Sequence, residues 1–118
     1  MIPTSSNPLV GIVGPCGSGK TTLTHSLEQH LLRARHIAQE HSYVPDMWQR
    51  ITHPDKLIYL EVSYENATRR RKLNWTLAEY EEQLHRLRHA REHADLVIKT
   101  DSMSPAEVLE IALAFIQG

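Results

Sequence analysis

Short apolar runs alternate along the chain with longer stretches in which apolar residues recur every three or four positions. Residues 9–13 and 57–62 are dense in apolar, aromatic and β-branched side chains, which is the pattern of strands buried on both faces of a sheet. Residues 95–98 form a shorter run of the same kind, and residues 36–40 form a weaker, partly polar one. The pattern predicts four strands, with the strand at residues 9–13 in the centre of the sheet.

Between the predicted strands, apolar residues recur at the spacing of amphipathic helices. The clearest series is Leu23, Leu27 and Leu31, which predicts a helix from Lys20 to about Arg33. The other predicted helices cover residues 65–73, residues 77–93 and the stretch after Ser104, with one or two helical turns within residues 43–51. Strands that alternate with helices predict an α/β fold, a three-layer domain with about four parallel strands flanked by helices and joined by right-handed crossovers.

Length and composition limit what the chain can be. Its 118 residues suffice for one compact domain, residues 1–118, and for no second one. With 13 basic and 14 acidic side chains the formal net charge is −1, so neither nucleic acid nor an anionic membrane is an expected partner. Cys16 is the only cysteine and residues 1–6 lack the features of a secretory signal, which predicts a cytoplasmic protein. No apolar run approaches the roughly 20 residues of a membrane-spanning helix.

The most specific motif is G-x-x-x-x-G-K-T, which runs from Gly14 to Thr21 between the first strand and the first helix. Glycines let backbone amides approach phosphate oxygens, and the helix N-terminus adds partial positive charge. Lys20 is expected to reach the β- and γ-phosphates of ATP or GTP, and the Thr21 hydroxyl to ligate Mg²⁺. Chance produces this pattern in roughly 0.4% of chains of this length, so a turn that binds nothing is the weaker interpretation. The predicted nucleotide-binding residues are Gly14, Pro15, Cys16, Gly17, Ser18, Gly19, Lys20, Thr21 and Thr22.

Together with two downstream segments, residues 56–67 and 94–108, the loop resembles the nucleoside and nucleotide kinase branch of the P-loop NTPase superfamily. The first segment resembles the strand and helix that lead into the lid of those kinases, and the second resembles their last strand and helix. The resemblance implies a small P-loop (Rossmann-like) domain that uses Mg²⁺ with ATP, or GTP, to phosphorylate a small-molecule acceptor. Only residues 33–35 separate the first predicted helix from the second predicted strand, which leaves no room for the insert that grips a nucleoside monophosphate.

The same resemblance implies that arginines near the lid clamp the nucleotide phosphates. Arg70 or Arg71, acting with Arg86 or Arg88, is the predicted clamp, because the planar guanidinium can bond two phosphate oxygens. The alternative is a solvated basic end of a helix, which the helix dipole favours.

An acid at the carboxyl end of a strand beside the central one is expected to complete the Mg²⁺ site or to receive a proton from the acceptor. Glu40, at the end of the weak second strand, is the candidate for both roles. Glu61 is the rival, although an acid within a strand can also be a salt-bridged edge residue.

Two further groups of residues each allow two interpretations. Residues 41–54 could build an acceptor pocket or could cover the sheet as a small apolar patch. The pocket would use Tyr43, Asp46, Trp48 and Arg50, whereas the patch would use Met47, Trp48 and Ile51. His85, His89 and His93 would line one face of a helix, where a solvated face is favoured over a zinc site.

Three hypotheses about function follow. The favoured one is a minimal kinase with Lys20, Glu40, Arg70 and Arg71 as its catalytic residues. The second is a nucleotide-binding or slowly hydrolysing module that acts through a protein partner or a dimer, and the third is a scaffold that retains the fold alone. A sheet of about four strands leaves an edge that a second copy of the chain could cover, so a homodimer is a further expectation.

Overall fold

Four parallel strands form a single sheet in a computed structural model, which describes residues 7–118. The strands are β1 (Leu9–Val13), β2 (Arg33–His36), β3 (Lys56–Glu61) and β4 (Leu96–Lys99). Their order across the sheet is β2-β1-β3-β4, so β1 and β3 are central and the other two are edge strands. The prediction of an α/β fold with about four parallel strands, and with β1 at the centre, is confirmed.

Five α-helices connect or follow the strands. They are α1 (Lys20–Gln29), α2 (Met47–Thr52), α3 (Tyr64–Arg71), α4 (Leu77–His93) and α5 (Pro105–Gln117). The two longest, α4 and α5, both begin with the capping box that their sequences predicted. No helix among the described residues is long and apolar enough to cross a bilayer.

Two buried clusters fill the space between the sheet and the helices on its two faces. Successive residues of a strand point to opposite faces, so Ile58 and Leu60 of β3 join one cluster while Leu57 and Tyr59 join the other. The first cluster contains residues of α1 and α5, and the second contains residues of α2 and α4. The domain therefore has three layers, as the alternation of elements predicted.

The predicted position of the second strand is wrong by about three residues. Helix α1 ends at Gln29 instead of near Arg33, and Leu31 then turns the chain with a φ of 62°. Strand β2 consequently pairs with β1 over Arg33–His36, ahead of the predicted residues 36–40. Only Ala34 of this edge strand is buried, so the strand has no apolar run by which it could be recognised.

Candidate functional site

The glycine-rich loop lies between the end of β1 and the start of α1. It is tightly packed, since its first five residues, 14–18, are buried or half-buried. Gly17 and Gly19 both take positive φ angles, 84° and 100°, which side chains other than glycine rarely adopt. The carboxyl end of the sheet is where open parallel sheets bind ligands, so the loop lies in the expected place for a binding site.

Several backbone N–H groups of the loop are available to a ligand. Those of Gly17, Gly19, Lys20, Thr21 and Thr22 have no hydrogen-bond acceptor among residues 7–118. The last three belong to the first turn of α1, where the aligned peptide dipoles add partial positive charge. Free amides at the start of a helix form a site for a phosphate or another anion.

The Lys20 side chain folds back over the loop and meets Glu40. Its Nζ donates to the carbonyl oxygens of Gly14 at 2.7 Å and Pro15 at 3.2 Å, and lies 2.8 Å from Glu40 Oε2. Both side chains of this ion pair are almost completely buried, with 10% of Lys20 and 5% of Glu40 exposed. The two residues predicted as catalytic from distant parts of the sequence are therefore in direct contact.

Glu40 reaches this position from a different element than predicted. It lies in a single 3-10 turn, Gln39–His41, that follows β2, instead of ending the strand itself. Because Ile37 N–H donates to the Ile12 carbonyl of β1, the chain leaves the sheet close to the loop. Glu40 thus lies at the carboxyl edge of the sheet, although the strand predicted to carry it ends at His36.

Two buried oxygen atoms at the loop have no hydrogen-bond partner among the described residues. They are Glu40 Oε1 and Ser18 Oγ. Buried polar atoms without a protein partner usually meet a water molecule or an ion. Carboxylate and hydroxyl oxygens are the donors that Mg²⁺ prefers, so Glu40 and the exposed Thr21 have the chemistry of Mg²⁺ ligands.

Of the two predicted lid arginines, only Arg70 lies against the loop. Its guanidinium donates to Thr100 Oγ1 at 3.0 Å and the Thr100 carbonyl at 2.7 Å, and lies 3.4 Å from the Gly17 carbonyl. Arg71 is exposed at the end of α3 and makes no hydrogen bond or ion pair with the other described residues. The structure therefore places Arg70, and not Arg71, beside the loop.

The arginines of α4 divide in the same way. Arg86 Nη1 lies 3.4 Å from the Glu40 carbonyl and its guanidinium lies 4.3 Å from the centre of the Tyr43 ring. Arg88 instead donates to the carbonyl of His85 on its own helix. Arg86 is consequently the α4 arginine adjacent to Glu40.

No long lid separates α3 from α4, contrary to what the resemblance to kinases implies. The connection is residues 72–76, and Trp75 anchors it. The Trp75 indole donates to Thr68 Oγ1 at 2.7 Å, and the Tyr64 hydroxyl donates to the Trp75 carbonyl at 2.7 Å. A short connection held by side-chain hydrogen bonds cannot fold over the loop as a long lid does.

Cys16 contacts two side chains, Gln83 and His41, that nothing in the sequence pattern links to it. Its N–H donates to Gln83 Oε1 at 3.0 Å, and Gln83 Nε2 donates to its sulfur at 3.2 Å. The sulfur also lies 3.7 Å from His41 Nε2. Gln83 is 67 positions away along the chain, so only the packing of α4 against the loop reveals this contact.

Residues 41–54 agree with the apolar-patch interpretation only in part. Trp48 is buried, and its indole donates to His89 Nδ1 at 3.1 Å, so it belongs to the core. Ile51 is exposed and is not part of that patch. Asp46 and Arg50 pair with each other at 2.9 Å on the surface.

The histidine face of α4 is not simply solvated, because His89 is half-buried and accepts the hydrogen bond from Trp48.

The rival acid Glu61 pairs with Arg91 at 3.0 Å, which agrees with the salt-bridge interpretation. Glu40 is therefore the acid of the loop region, and Glu61 lies in a separate cleft.

That cleft lies between the end of β3 and α4 and has a volume of about 480 Å³. Tyr59, Glu61, Tyr80, Arg88 and Arg91 are among its lining residues. Burial raises the pKa of both tyrosine hydroxyls, so both remain protonated at neutral pH. Three acidic side chains, Glu61, Glu92 and Asp101, line the cleft together with the two arginines, so its charge does not favour an anionic molecule.

Asp101 ties the turn after β4 to the end of β3. Its Oδ1 accepts a hydrogen bond from Ser63 N–H at 2.9 Å. Burial acts to raise the pKa of Asp101, but hydrogen bonds from Ser63 and Asn66 and the nearby charge of Arg70 outweigh it, so the pKa is lowered. A lowered pKa means that the carboxylate stabilises the fold at pH values above its unfolded-state pKa. This contribution is lost as the pH falls through the folded-state pKa.

Asp101→Asn, which keeps the shape and removes the charge, is expected to lower the free energy of unfolding at pH 7 by less than about 1 kcal/mol, because the group is exposed. The difference in unfolding free energy between the wild type and the variant should shrink as the pH is lowered, since the wild-type carboxyl then becomes neutral as well. Urea unfolding of both proteins from pH 7 down to the lowest pH at which the wild type is folded measures this. A difference in unfolding free energy that does not change with pH would contradict the lowered pKa of Asp101.

Comparison with known proteins assigns the chain to no family, since neither a protein-family model nor a curated protein matches it. The resemblance to P-loop kinases therefore rests on the residues quoted above. The residues that bear on function are those of the loop, the Lys20–Glu40 pair and the groups around them.

Proposed function

We propose that the protein binds ATP or GTP with Mg²⁺ at the glycine-rich loop, and that it transfers the γ-phosphoryl group to a small-molecule acceptor. The observation that carries this proposal is the combination of free loop amides with the buried Lys20–Glu40 pair. A glycine-rich turn with no ligand has no need for unpaired amides, a buried lysine and a buried acid in contact. A phosphate site with a metal and a proton acceptor needs all three.

The roles of the loop residues follow from their positions. The free amides would bind the phosphate oxygens, and the Lys20 ammonium, already at the loop, would stabilise negative charge on the β- and γ-phosphates. Thr21 and Glu40 would hold Mg²⁺, which when bound neutralises charge on the transferring group. Arg70, which lies beside Gly17, is the arginine that could bond the phosphates with little movement.

Alternatively, Glu40 would activate an acceptor hydroxyl instead of holding Mg²⁺, since Lys20 occupies its other oxygen. Its Oε1 has no protein partner among the described residues, so it can accept a hydrogen bond from the acceptor.

Calorimetric titration of the wild type with ATP and GTP, each with and without Mg²⁺, tests the binding step. Lys20→Ala is expected to weaken binding by at least about 100-fold, because it removes a charge-assisted contact to the phosphates. Lys99→Ala removes an exposed lysine of edge strand β4 and is the matched control, which should bind as the wild type does. Circular dichroism would verify that each variant is folded.

The outcome of these titrations decides the proposal. If neither nucleotide binds to the folded wild type, or if Lys20→Ala and Lys99→Ala bind alike, nucleotide binding at this loop is wrong. If binding depends on Lys20, a screen of small hydroxylated and anionic acceptors for ADP or GDP release tests the transfer step.

The second candidate function is a nucleotide-binding module that hydrolyses slowly or not at all. The short, anchored connection between α3 and α4 favours it, because kinases of the type resembled here use a lid to exclude water. Nucleotide binding that depends on Lys20 but is not followed by turnover with any acceptor would support this alternative. The exposed Arg33 and Arg35 of β2 oppose a homodimer formed along that edge, since two copies would place like charges together.

A further inference from the structure

Three potential metal ligands converge at the mouth of the loop. They are the Cys16 sulfur, a carboxylate oxygen of Glu40 and a ring nitrogen of His41, which all lie within 4.8 Å of one another. His41 Nε2 is 3.7 Å from the sulfur and 3.8 Å from Glu40 Oε2. No other group of this kind is found among the residues that the structure describes.

Two of the three separations, those that involve His41 Nε2, fit a tetrahedral metal ion. With metal–sulfur and metal–nitrogen distances near 2.3 and 2.1 Å, two tetrahedral ligands lie about 3.6 Å apart. The observed 3.7 and 3.8 Å agree to within a few tenths of an ångström. Thiolate, imidazole and carboxylate together select Zn²⁺ and similar thiophilic ions over Mg²⁺, and three protein ligands leave a fourth position for water.

The Glu40 carboxylate gives a second indication that a ligand belongs here, and its oxygen nearest to His41 is Oε2, which Lys20 also contacts. Its side chain is 95% buried, because only 5% is exposed, and its Oε1 has no partner among residues 7–118. Lys20 uses only Oε2. A buried carboxylate oxygen without a hydrogen bond is costly unless a water molecule or a cation meets it.

Neighbouring side chains hold two of the three ligands in place. Gln83 bonds both the N–H and the sulfur of Cys16, and Arg86 lies 3.4 Å from the Glu40 carbonyl. Outer contacts of this kind orient metal ligands and raise metal affinity. The third ligand, His41, is 60% exposed and can turn its ring without disturbing the core.

We propose that Cys16, Glu40 and His41 form a site for Zn²⁺ or another thiophilic divalent ion. Binding forms a metal–sulfur bond and releases the thiol proton to solvent, so affinity rises with pH. The ion also shares the carboxylate that pairs with Lys20 and therefore weakens that ion pair. The site requires no nucleotide and goes beyond the proposed function.

Titration of the full chain with Co²⁺ in the absence of nucleotide tests the site. A thiolate–Co²⁺ charge-transfer band in the near ultraviolet can come only from this site, because Cys16 is the single cysteine. The band is expected to saturate near one equivalent, to disappear when Zn²⁺ displaces Co²⁺, and to be absent in Cys16→Ser. His41→Ala should weaken binding by at least about tenfold, since even outer-shell contacts contribute that much.

Two exposed histidines provide matched controls, and His25→Ala and His85→Ala should bind Co²⁺ as the wild type does. Absence of a thiolate band in the wild type would overturn the proposal, as would a His41→Ala variant that binds with unchanged affinity. His41 is exposed, so this variant should fold normally. Because the assay contains no nucleotide, its failure would leave the proposal of nucleotide binding untouched.

Discussion

Gly17→Ala is expected to lower the free energy of unfolding by roughly 2–5 kcal/mol, through strain of roughly 1–2 kcal/mol and overpacking of roughly 1–3 kcal/mol. The strain arises because Gly17 has a φ of 84°. The overpacking arises because an added Cβ would lie 2.8 Å from the Cα and carbonyl oxygen of Ala67 in α3. Backbone atoms of a helix cannot move aside as a flexible side chain can.

Gly19→Ala is the matched comparison, because it adds the same methyl group two residues further along the loop. Gly19 has a similar φ of 100°, but nothing lies within 4 Å of its added Cβ. We expect a loss of only about 1–2 kcal/mol in unfolding free energy, from strain alone. The methyl group would instead occupy open space beside the free amides, so nucleotide binding should fall by at least about 100-fold.

Urea unfolding and nucleotide titration of the two variants measure this contrast. Gly17→Ala should mainly lose stability, whereas Gly19→Ala should mainly lose binding. If Gly17→Ala were as stable as the wild type, the close packing of the loop on α3 would be wrong. If a folded Gly19→Ala bound nucleotide normally, the amides of this loop would not be the phosphate site.

The second large effect concerns the buried Lys20–Glu40 pair. Lys20→Met leaves a buried carboxylate without its cation and is expected to lower the free energy of unfolding by about 3 kcal/mol. Glu40→Gln leaves Lys20 with the Gly14 and Pro15 carbonyls only and should also destabilise. The double variant removes both charges and should be more stable than the sum of the two losses predicts, with a coupling of roughly 1–3 kcal/mol.

The Arg91–Glu61 pair provides the control, since 49% of Arg91 and 34% of Glu61 is exposed to solvent. The corresponding double-mutant cycle uses Arg91→Met and Glu61→Gln. It should give a coupling free energy below about 1 kcal/mol, because water screens the interaction. Urea unfolding of all the variants at one pH gives both couplings. Equal couplings in the two cycles would show that burial of Lys20 and Glu40 does not strengthen their interaction.

Some parts of the structure were predictable from local sequence because the signal is itself local. Strand β1 appears as a continuous apolar run, and α4 and α5 begin where Thr76 and Ser104 are followed three residues later by glutamate. The glycines of the loop mark backbone that needs positive φ. Burial on both faces, helix capping and turn conformation each depend on residues close together in the chain.

Other parts were not predictable because the decisive contacts are distant in sequence. Strand β2 is a polar edge strand, and its register is set by hydrogen bonds to β1 and by the turn at Leu31. The lid implied by the resemblance is replaced by a short connection that Trp75 anchors. Neither feature leaves a periodic apolar pattern by which it could be recognised.

The sequence by itself determined the α/β class and the central strand, and it predicts phosphate binding at the loop, since each of these rests on residues adjacent in the chain. Only the tertiary structure decided which distant side chains meet that loop. It brought Glu40 to Lys20, Gln83 to Cys16 and Arg70 to Gly17, and it left Arg71 in solvent. Such contacts depend on how α3, α4 and the turn after β2 pack together, and packing is a property of the whole fold.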